Sequence, residues 1–342
     1  MTALDQTSET QTGSIQTGST QARSVQTSGP LDRERSSRTG PYHLSDEQVR
    51  FFDENGYLIL RAWIVGELLE RLQAAGTRWI ERGLKDGGAN RDHLFAEREV
   101  GRVMWRVDYV HDKGEAASLE PLGSPQVLAV AQSLCGPNFV PTYESMVFKQ
   151  EGDGEKIPWH QDAVRPRNWR VFNFDLHLDE SRTGGGALRV IPGSQHARAD
   201  VCELTDQYGW DAPGAIHVEM QPGDVLLHDV MVVHGSERAQ GKKLRRTIYY
   251  EFRAAEEIVA EGPWDRDWIG GRMCLVPLAL KRHREAAPDA PQFGWQVSEE
   301  FRPAPQGSEQ EELRIVHLTH TPGSHCSAGD AKRSAGDVKP AP

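Results

Sequence analysis

The spacing of apolar residues in the first part of the chain, before Phe139, is mostly that of α-helices. Between Glu67 and Arg82, apolar side chains recur every three or four residues, and Gly83 stands where a helix commonly ends. Three helices are predicted from such signals: one from the Ser45–Gln48 capping box, one over Glu67 to Arg82, and one from Ser124–Pro125 to before Gly136. The run Tyr57 to Leu60 is predicted as a strand.

From Phe139 onward the pattern changes to short β-rich runs separated by turns that contain Gly and Pro. The predicted strands cover Tyr143 to Lys149, Val171 to Leu178, Ala187 to Ile191, Val225 to His234 and Thr247 to Phe252. Residues 200–216 and 256–280 are expected to be loops. Helices followed by strands are typical of an α+β fold. We therefore predict a mainly β core, a sandwich or jelly roll, braced by N-terminal helices.

Both ends of the chain differ in composition from the segment between them. Residues 1–40 are rich in Thr, Gln, Ser and Gly and contain no aromatic side chain, so they lack the apolar surface that would offset the loss of chain entropy. Residues 322–342, with their Gly, Ser, Ala, Lys and Pro, have a similar character. These features predict a disordered leader, one folded domain over residues 41–321, and a disordered tail.

Charge and cysteine usage narrow the function classes. The 342 residues include 39 basic and 50 acidic side chains, a formal charge of −11, which argues against general binding to nucleic acid or to anionic membranes. The four cysteines are scattered without Cys-x-x-Cys spacing, so neither a disulfide framework nor a zinc knuckle is expected. No apolar run is long enough for a membrane span, and we recognise no signal peptide. We expect a cytoplasmic protein, monomer or dimer, with a small-molecule substrate.

Three residues have the types and spacing of a non-haem iron site. His160 and Asp162 stand two residues apart, and alternate side chains of an extended backbone point the same way, so both can reach one metal ion. His234 follows much later, at the end of an apolar run that suits an interior strand. Two imidazoles and one carboxylate form a facial arrangement that leaves metal positions open for a co-substrate and O2. Zinc would more often take another protein ligand or a single water.

A basic segment after His234 favours a site for a dicarboxylate. Arg245 enters the next predicted strand, where its guanidinium could form two parallel hydrogen bonds with a carboxylate. Ser236 could donate a further hydrogen bond to the same group. Arg246 competes with Arg245, because a shift of one residue sends a strand side chain to the other face of the sheet. We favour Arg245 and expect Arg246 to be a solvated charge.

Five motifs, in order along the chain, resemble the phytanoyl-CoA dioxygenase family of iron(II)- and 2-oxoglutarate-dependent oxygenases. They are His160-Gln-Asp162, Gly185-Gly-Ala-Leu188 leading to Ile191-Pro-Gly-Ser194, Gly223-Asp224, His234-Gly-Ser236 and Arg245. The segment Phe51-Phe-Asp-Glu-Asn-Gly-Tyr-Leu58 is similar to the start of that family. Where the family usually has Asn-Gly-x-Leu, this chain has Gly185-Gly-Ala-Leu188. The likeness covers roughly residues 44–255.

The resemblance implies a double-stranded β-helix fold in which His160, Asp162 and His234 bind Fe(II), while Ser236 and Arg245 bind 2-oxoglutarate. It also implies a dioxygenase that uses O2, releases succinate and CO2, and hydroxylates an aliphatic C–H bond of a small or medium organic molecule. Halogenating relatives have a small residue in place of the carboxylate ligand, so Asp162 favours hydroxylation or another oxidation. Two rival functions are a non-oxidative cupin-like metalloenzyme with another metal, and a binding protein without turnover.

Several residues near these motifs have two interpretations. Taken alone, His160 could be a surface histidine beside an acid. On the predicted strand Val171 to Leu178, the polar residues Asn173, Asp175 and His177 could line the pocket and contact a polar substrate, or could lie in water. His228 is predicted on the same strand as His234, six residues earlier and too far to share one metal. We therefore interpret it as a packed or hydrogen-bonded histidine.

Two further groups could reach the substrate. Arg165, Arg167 and Arg170 could recognise an anionic group on it, although such a run is more often a solvated loop. Trp264 and Trp268 could cover the pocket, although two tryptophans beyond the barrel are more often plain packing. The sequence leaves both alternatives open.

Overall fold

The computed structural model of the protein describes residues 40–149, 156–163, 165, 167–239, 244–304, 307–313 and 324–325. The described α-helices are α1 (Asp46–Asn55), α2 (Glu67–Asp86), α3 (Glu120–Gly123), α4 (Pro125–Cys135), α5 (Val201–Tyr208), α6 (Ala255–Glu261), α7 (Arg266–Met273), α8 (Leu275–Ala286) and α9 (Glu309–Leu313). The described strands are β1 (Tyr57–Leu60), β2 (His93–Arg98), β3 (Gly101–Asp108), β4 (Phe139–Lys149), β5 (Ile157–Gln161), β6 (Phe172–His177), β7 (Leu188–Ile191), β8 (Ile216–Val218), β9 (Val225–Asp229), β10 (Val233–Ser236), β11 (Arg245–Ala254) and β12 (Ser324–His325).

The ends that we predict to be disordered fall almost wholly outside the described residues. Of residues 1–40 only Gly40 is described, and of residues 322–342 only Ser324 and His325. These two C-terminal residues pair as β12 with β5. The disordered leader, the disordered tail and the domain bounds therefore stay predictions.

Two antiparallel sheets form the core of the described chain. The larger has the strand order β1-β9-β6-β11-β4-β3-β2, and the smaller has the order β12-β5-β10-β7-β8. From β5 to β11 the chain passes back and forth between them, with β6, β9 and β11 in the larger sheet and β5, β7, β8 and β10 in the smaller. This alternation is the topology of a double-stranded β-helix. The predicted α+β fold with a mainly β core is confirmed.

The N-terminal helices pack against the larger sheet. Helix α1 starts as predicted, because the Ser45 hydroxyl accepts a hydrogen bond from the Gln48 amide while the Gln48 side chain accepts one from the Ser45 amide. Helix α2 buries Leu72 and Trp79 in the same apolar cluster as Phe174 of β6. The bracing role that the sequence predicts for these helices is therefore seen.

Helix α2 is longer than predicted, because Gly83 does not end it. The helix continues to Asp86, and Gly87 in the left-handed conformation follows it. A Cβ atom on Gly83 would lie 2.2 Å from Cε of Met104, which belongs to β3. The β2–β3 hairpin was not predicted, so the need for a glycine at this contact could not be seen. Gly83 allows a close approach of helix and strand.

The predicted single strand Val225 to His234 is wrong. Strand β9 ends at Asp229, β10 begins at Val233, and the two strands belong to different sheets. Between them the Asp229 carbonyl accepts a hydrogen bond from the Val232 amide at 2.9 Å, and its carboxylate accepts one from the Met231 amide at 2.8 Å. This turn carries the chain from the larger sheet to the smaller.

The segments that we expected to be loops contain helices. Helix α5 lies within residues 200–216, and α6 and α7 fall largely within residues 256–280. Trp264 and Trp268 stack with ring centroids 3.9 Å apart, and both pack in the apolar cluster that contains Ile258 and Ile269. The packing interpretation of these tryptophans is therefore supported.

Two expectations from the sequence concern disulfide bonds and membrane-spanning helices. Cys135 and Cys274 are buried free thiols, whereas Cys202 is disulfide-bonded, which differs from the expectation of a chain without structural disulfides. Among the described helices, none combines the length and the apolar character that a bilayer crossing requires.

We expect Gly83→Ala to lower the free energy of unfolding by about 1–3 kcal/mol, because the added methyl group overlaps a neighbour in a well-packed core. Met104 is 0% exposed and has no solvent to move into. Gly270→Ala in α7 is the matched control, since no described atom lies within 4 Å of its Cβ position. That change should stabilise the protein by about 0.5–1 kcal/mol. Urea denaturation measures both, and effects of the same sign would contradict the packing argument.

Candidate active site

The structure brings His160, Asp162 and His234 together between the two sheets. His160 of β5 and His234 of β10 are direct partners in neighbouring strands, and their ring centroids lie 4.1 Å apart. Asp162 follows the end of β5. Its Oδ1 lies 3.6 Å from His160 Nε2, and its Oδ2 lies 3.9 Å from His234 Nε2. One ligand atom from each residue lies within 4.8 Å of the others. Since His160 is 8% exposed, the interpretation as a surface histidine is wrong.

The hydrogen bonds of the two imidazoles fit a metal ion at this point. His160 Nδ1 lies 2.8 Å from the Pro158 carbonyl, and His234 Nδ1 lies 2.9 Å from the Val232 carbonyl. A carbonyl oxygen only accepts, so each Nδ1 carries the proton and each neutral Nε2 presents its lone pair toward Asp162. The donor set is that of a non-haem Fe(II) site.

Electrostatics around His234 and Asp162 favour the protonation states that bind metal. Burial, together with the neighbouring His160, lowers the pKa of His234 to about 3. For Asp162, burial alone would raise the pKa, but His234, His228 and His160 hold it well below its ordinary value. A neutral imidazole and an ionised carboxylate are the ligand forms that metals require.

Gly235 lets the two ligand-bearing strands approach each other. A Cβ atom there would lie 2.9 Å from the Ile157 carbonyl oxygen and 3.1 Å from that of Pro158, both of β5. Backbone atoms inside a sheet cannot move aside as a flexible side chain can. The residue between His234 and Ser236 is therefore a glycine for steric reasons.

His228 is the residue whose place we predicted least well. Because β9 and β10 are separate strands, its ring centroid lies only 4.8 Å from that of His234. Its Nε2 lies 3.2 Å from Asp162 Oδ2 and its Nδ1 lies 2.7 Å from Asp175 Oδ2. Burial opposes its charged form, but Asp175 and Asp162 together raise the pKa of His228 to about 10. It is a hydrogen-bonded histidine, as expected, and it bonds directly to Asp162.

The polar face of β6 points into the space between the sheets. Asn173, Asp175 and His177 are 7%, 1% and 2% exposed, so the alternative that they lie in water is wrong. Asn173 donates a hydrogen bond to Asp162 Oδ2 at 3.1 Å. Burial, together with Arg245, lowers the pKa of His177 to about 3, so that its imidazole is neutral. Contact of these residues with a substrate stays a prediction.

Arg245 and Arg246 lie on opposite faces of β11. Arg245 is 3% exposed, donates to the Gly186 carbonyl, and has no hydrogen-bond partner for Nε in the described part of the chain. Arg246 is also buried, and its Nε and Nη2 donate to the Asp179 carboxylate at 2.8 and 2.9 Å. Our expectation that Arg246 is solvated is therefore wrong, because it pairs with Asp179 and bonds to α2 through the Gln73 carbonyl at 2.6 Å.

Ser236 lies near Arg245 at the inner end of β10. It is fully buried, and its hydroxyl accepts a hydrogen bond from Lys149 Nζ at 2.8 Å. Lys149 is the register partner of Arg245 on the neighbouring β4. Sequence reasoning missed Lys149, because the apolar run that contains it carries no signal for this position. Because the Ser236 oxygen accepts this hydrogen bond, its O–H group can still donate one to a second group.

The arginines that follow Asp162 bond to other parts of the protein. Arg170 pairs with the Asp53 carboxylate of α1 through Nε at 2.6 Å and Nη2 at 2.8 Å. Arg167 donates a hydrogen bond to the Glu257 carboxylate of α6. Arg165 donates one to the backbone carbonyl of Glu261, the last residue of the same helix. These contacts support neither of the two interpretations that the sequence left open.

The comparison with known families gives a match over most of the core. The family model described as phytanoyl-CoA dioxygenase (PhyH) matches residues 52–247, which is more than half of the chain. The chain belongs to the phytanoyl-CoA dioxygenase family. The resemblance that the sequence motifs indicated is confirmed.

Related proteins agree with this membership. The chain is 23% identical over 240 residues to peroxisomal phytanoyl-CoA dioxygenase of Rattus norvegicus, covering 62% of this chain and 69% of the rat protein. Among solved structures, EvdMO1 is 28% identical with a TM-score of 0.55, covering 61% of this chain but only 50% of EvdMO1. EctD from S. alaskensis, with 2-oxoglutarate and 5-hydroxyectoine, is 20% identical with a TM-score of 0.53, covering 64% and 79%. At that identity, the likeness to EctD shows the fold alone.

The adjacent arginines give a matched test of the co-substrate position in this family member. We expect Arg245→Gln to weaken 2-oxoglutarate binding by about 2 kcal/mol or more, about 30-fold in Kd, because a buried charged pair is lost. Arg246→Gln should leave that Kd unchanged and lower the melting temperature, because it breaks the pair with Asp179. Anaerobic titration of the Fe(II) protein and thermal unfolding measure the two effects. Weaker 2-oxoglutarate binding in Arg246→Gln than in Arg245→Gln would reverse the assignment.

Proposed function

We propose that this protein is an Fe(II)- and 2-oxoglutarate-dependent dioxygenase that hydroxylates a small polar organic molecule. The dioxygenase class follows from membership in the phytanoyl-CoA dioxygenase family. For this chain, the observation that carries the proposal is the convergence of His160, Asp162 and His234 beside the buried guanidinium of Arg245. The roles that follow are proposals for these individual residues.

His160, Asp162 and His234 would hold Fe(II) through two neutral Nε2 atoms and one carboxylate oxygen. When bound, the metal and 2-oxoglutarate would react with O2, the oxidant, to hydroxylate a C–H bond of the substrate, with one oxygen atom entering the alcohol and the other entering succinate, and with CO2 as co-product. The chain fixes both rings through backbone carbonyls, so the ligands need no reorientation when the metal arrives. His160 and His234 are 8% and 5% exposed, so the protein largely shields these two ligands from bulk water.

Arg245 and Ser236 would hold the distal carboxylate of 2-oxoglutarate. The Nε of Arg245 is a buried donor without a partner among the described residues, and a buried unpaired donor is unfavourable until a ligand accepts from it. Lys149, next to both residues, adds positive charge at the same end of the site. We therefore include Lys149 among the residues that hold the carboxylate.

The side chains that reach the interior of the larger sheet support a polar substrate. Tyr249 of β11 shares a face with Asp175, its register partner on β6, and is half-buried although the strand around it is buried. Burial and Asp175 raise the pKa of Tyr249, so its hydroxyl keeps its proton at neutral pH. Arg106 and Asp108 of β3 are 19% and 18% exposed on the same side of the sheet. Hydroxyl, amide or amine groups on a substrate would find partners there.

Other properties of the protein rest on composition. The net charge of −11 supports our proposal of no nucleic-acid partner. The cytoplasmic location and the state as monomer or dimer stay predictions. Family membership favours the dioxygenase over a non-oxidative cupin-like metalloenzyme and over a binding protein without turnover.

We expect the protein, supplied with Fe(II), 2-oxoglutarate and O2, to release succinate when a metabolite screen offers its substrate. His160→Ala is the blank, because it removes one of three metal ligands. Without O2, Fe(II) and 2-oxoglutarate should give a weak visible absorption band in the wild-type protein. If neither the band nor O2-dependent succinate is seen, the proposed function is wrong.

Two adjacent tyrosines test the polar wall of the site. We expect Tyr249→Phe to raise the KM of the substrate found in the screen by about fivefold, because one hydrogen bond contributes about 1 kcal/mol. Tyr250→Phe is the control, because that hydroxyl lies on the other face of β11, 3.5 Å from the Ser118 carbonyl. Steady-state kinetics compares the two. An equal KM for Tyr249→Phe and the wild type would remove Tyr249 from the substrate site.

A further inference from the structure

His228 connects Asp162, the proposed iron ligand, to a second buried carboxylate. It is 1% exposed, with Nε2 lying 3.2 Å from Asp162 Oδ2 and Nδ1 lying 2.7 Å from Asp175 Oδ2. Asn173 donates to the same Oδ2 of Asp162 at 3.1 Å. Two donors therefore converge on Oδ2 of Asp162, which also lies 3.9 Å from His234 Nε2. The other oxygen, Oδ1, lies 3.6 Å from His160 Nε2.

We propose that His228, anchored by Asp175, is a positioning residue that makes Asp162 a ligand through Oδ1 alone. The inference rests on the proposed function, since it concerns how one iron ligand is held. It assigns to His228 the task of keeping a coordination position of the metal open for O2.

The reason is that a carboxylate can bind a metal through one oxygen or through both. The facial arrangement is useful because the remaining positions accept the chelating co-substrate and O2. If Asp162 turned about its Cβ–Cγ bond, its second oxygen would take one of those positions. With Oδ2 bonded to His228 and Asn173, that rotation breaks two hydrogen bonds inside a buried site, which is unfavourable.

Asp175 fixes the orientation of the ring. It lies on β6, 1% exposed, and its Oδ2 accepts from His228 Nδ1. An imidazole that is held at one nitrogen keeps the other nitrogen aimed in a constant direction. The turn at Asp229 is equally necessary, because it separates β9 from β10 and thereby lets His228 reach Asp162 beside His234.

A contrary assignment makes His228 a further metal ligand. In the structure, however, Nδ1 of His228 lies against Asp175 Oδ2, and Nε2 lies against both Asp162 Oδ2 and Asn173 Nδ2. The metal-binding cluster among the described residues consists of His160, Asp162 and His234. The two assignments predict different results for metal binding when His228 is replaced.

The test replaces His228 with two amide side chains, each of which preserves one of its two contacts. In His228→Gln the side-chain amide reaches the position of Nε2 and can still donate to Asp162. In His228→Asn it reaches only the position of Nδ1, toward Asp175. Both variants remove the same ring and leave a buried amide, so a merely structural role would affect them alike. His111→Asn is the control outside the metal cluster. His111 forms a similar buried pair, with its Nδ1 lying 2.7 Å from a carboxylate oxygen of Glu144.

The measurement is the Kd of nitric oxide, a substitute for O2, on the anaerobic Fe(II) and 2-oxoglutarate complex, read by electron paramagnetic resonance. We expect His228→Asn to weaken nitric oxide binding by about tenfold or more, an effect of the size seen when residues around metal ligands are removed. Its Kd for Fe(II) should rise far less than that of His160→Ala, which removes a ligand, while His228→Gln and His111→Asn stay near the wild type. If His228→Asn does not fold, Asp175→Asn takes its place, with a smaller loss expected.

Three results would overturn the inference. Nitric oxide binding in His228→Asn that equals the wild type would show that Asp162 does not need this contact. Equal losses in His228→Gln and His228→Asn would indicate a structural role. A loss of Fe(II) binding as complete as that of His160→Ala would make His228 a ligand. Failure of the wild type to form its visible band with Fe(II) and 2-oxoglutarate would instead contradict the proposed function itself.

Discussion

Polar and charged groups buried between the sheets must find partners, and the whole site depends on how far the protein supplies them. Backbone carbonyls accept hydrogen bonds from Nδ1 of His160 and of His234, and His228 forms a hydrogen bond with one oxygen of Asp162. Nε of Arg245, a buried donor without a partner among the described residues, lies in the same interior. Together with the neutral Nε2 atoms of the two histidines, this donor fits a site for a metal ion and an anion.

The sheet topology places these groups in one space although they are far apart in sequence. His160 and His234 are register partners on neighbouring strands of the smaller sheet, so one pairing brings both imidazoles together. The larger sheet contributes His228 and Arg245 from strands on either side of β6. The site is therefore a product of the alternation of the chain between two sheets, and each contributing strand is held by its neighbours along its length.

Much of this arrangement could be predicted from local sequence signals. The capping box at Ser45 depends on residues three positions apart, and strand β1 was predicted with its observed bounds. The grouping of His160, Asp162 and His234 was predicted from the order of motifs, which encodes the fold as a whole. The place of His228 was not predictable in the same way, because the apolar run around it is continuous and the turn that breaks it depends on tertiary position. The burial of Arg246 likewise depends on α2, which lies distant in sequence.

The contact at Gly235 has a consequence for how such an enzyme diversifies. Its α-carbon faces the backbone of the adjoining strand at a distance that excludes any side chain, and functional residues flank it on both sides. Residues that line the substrate pocket, on the larger sheet and in the surrounding helices, can therefore be substituted, whereas Gly235 tolerates almost no substitution. New specificities should arise by substitutions elsewhere, which leave this pairing of two strands in place.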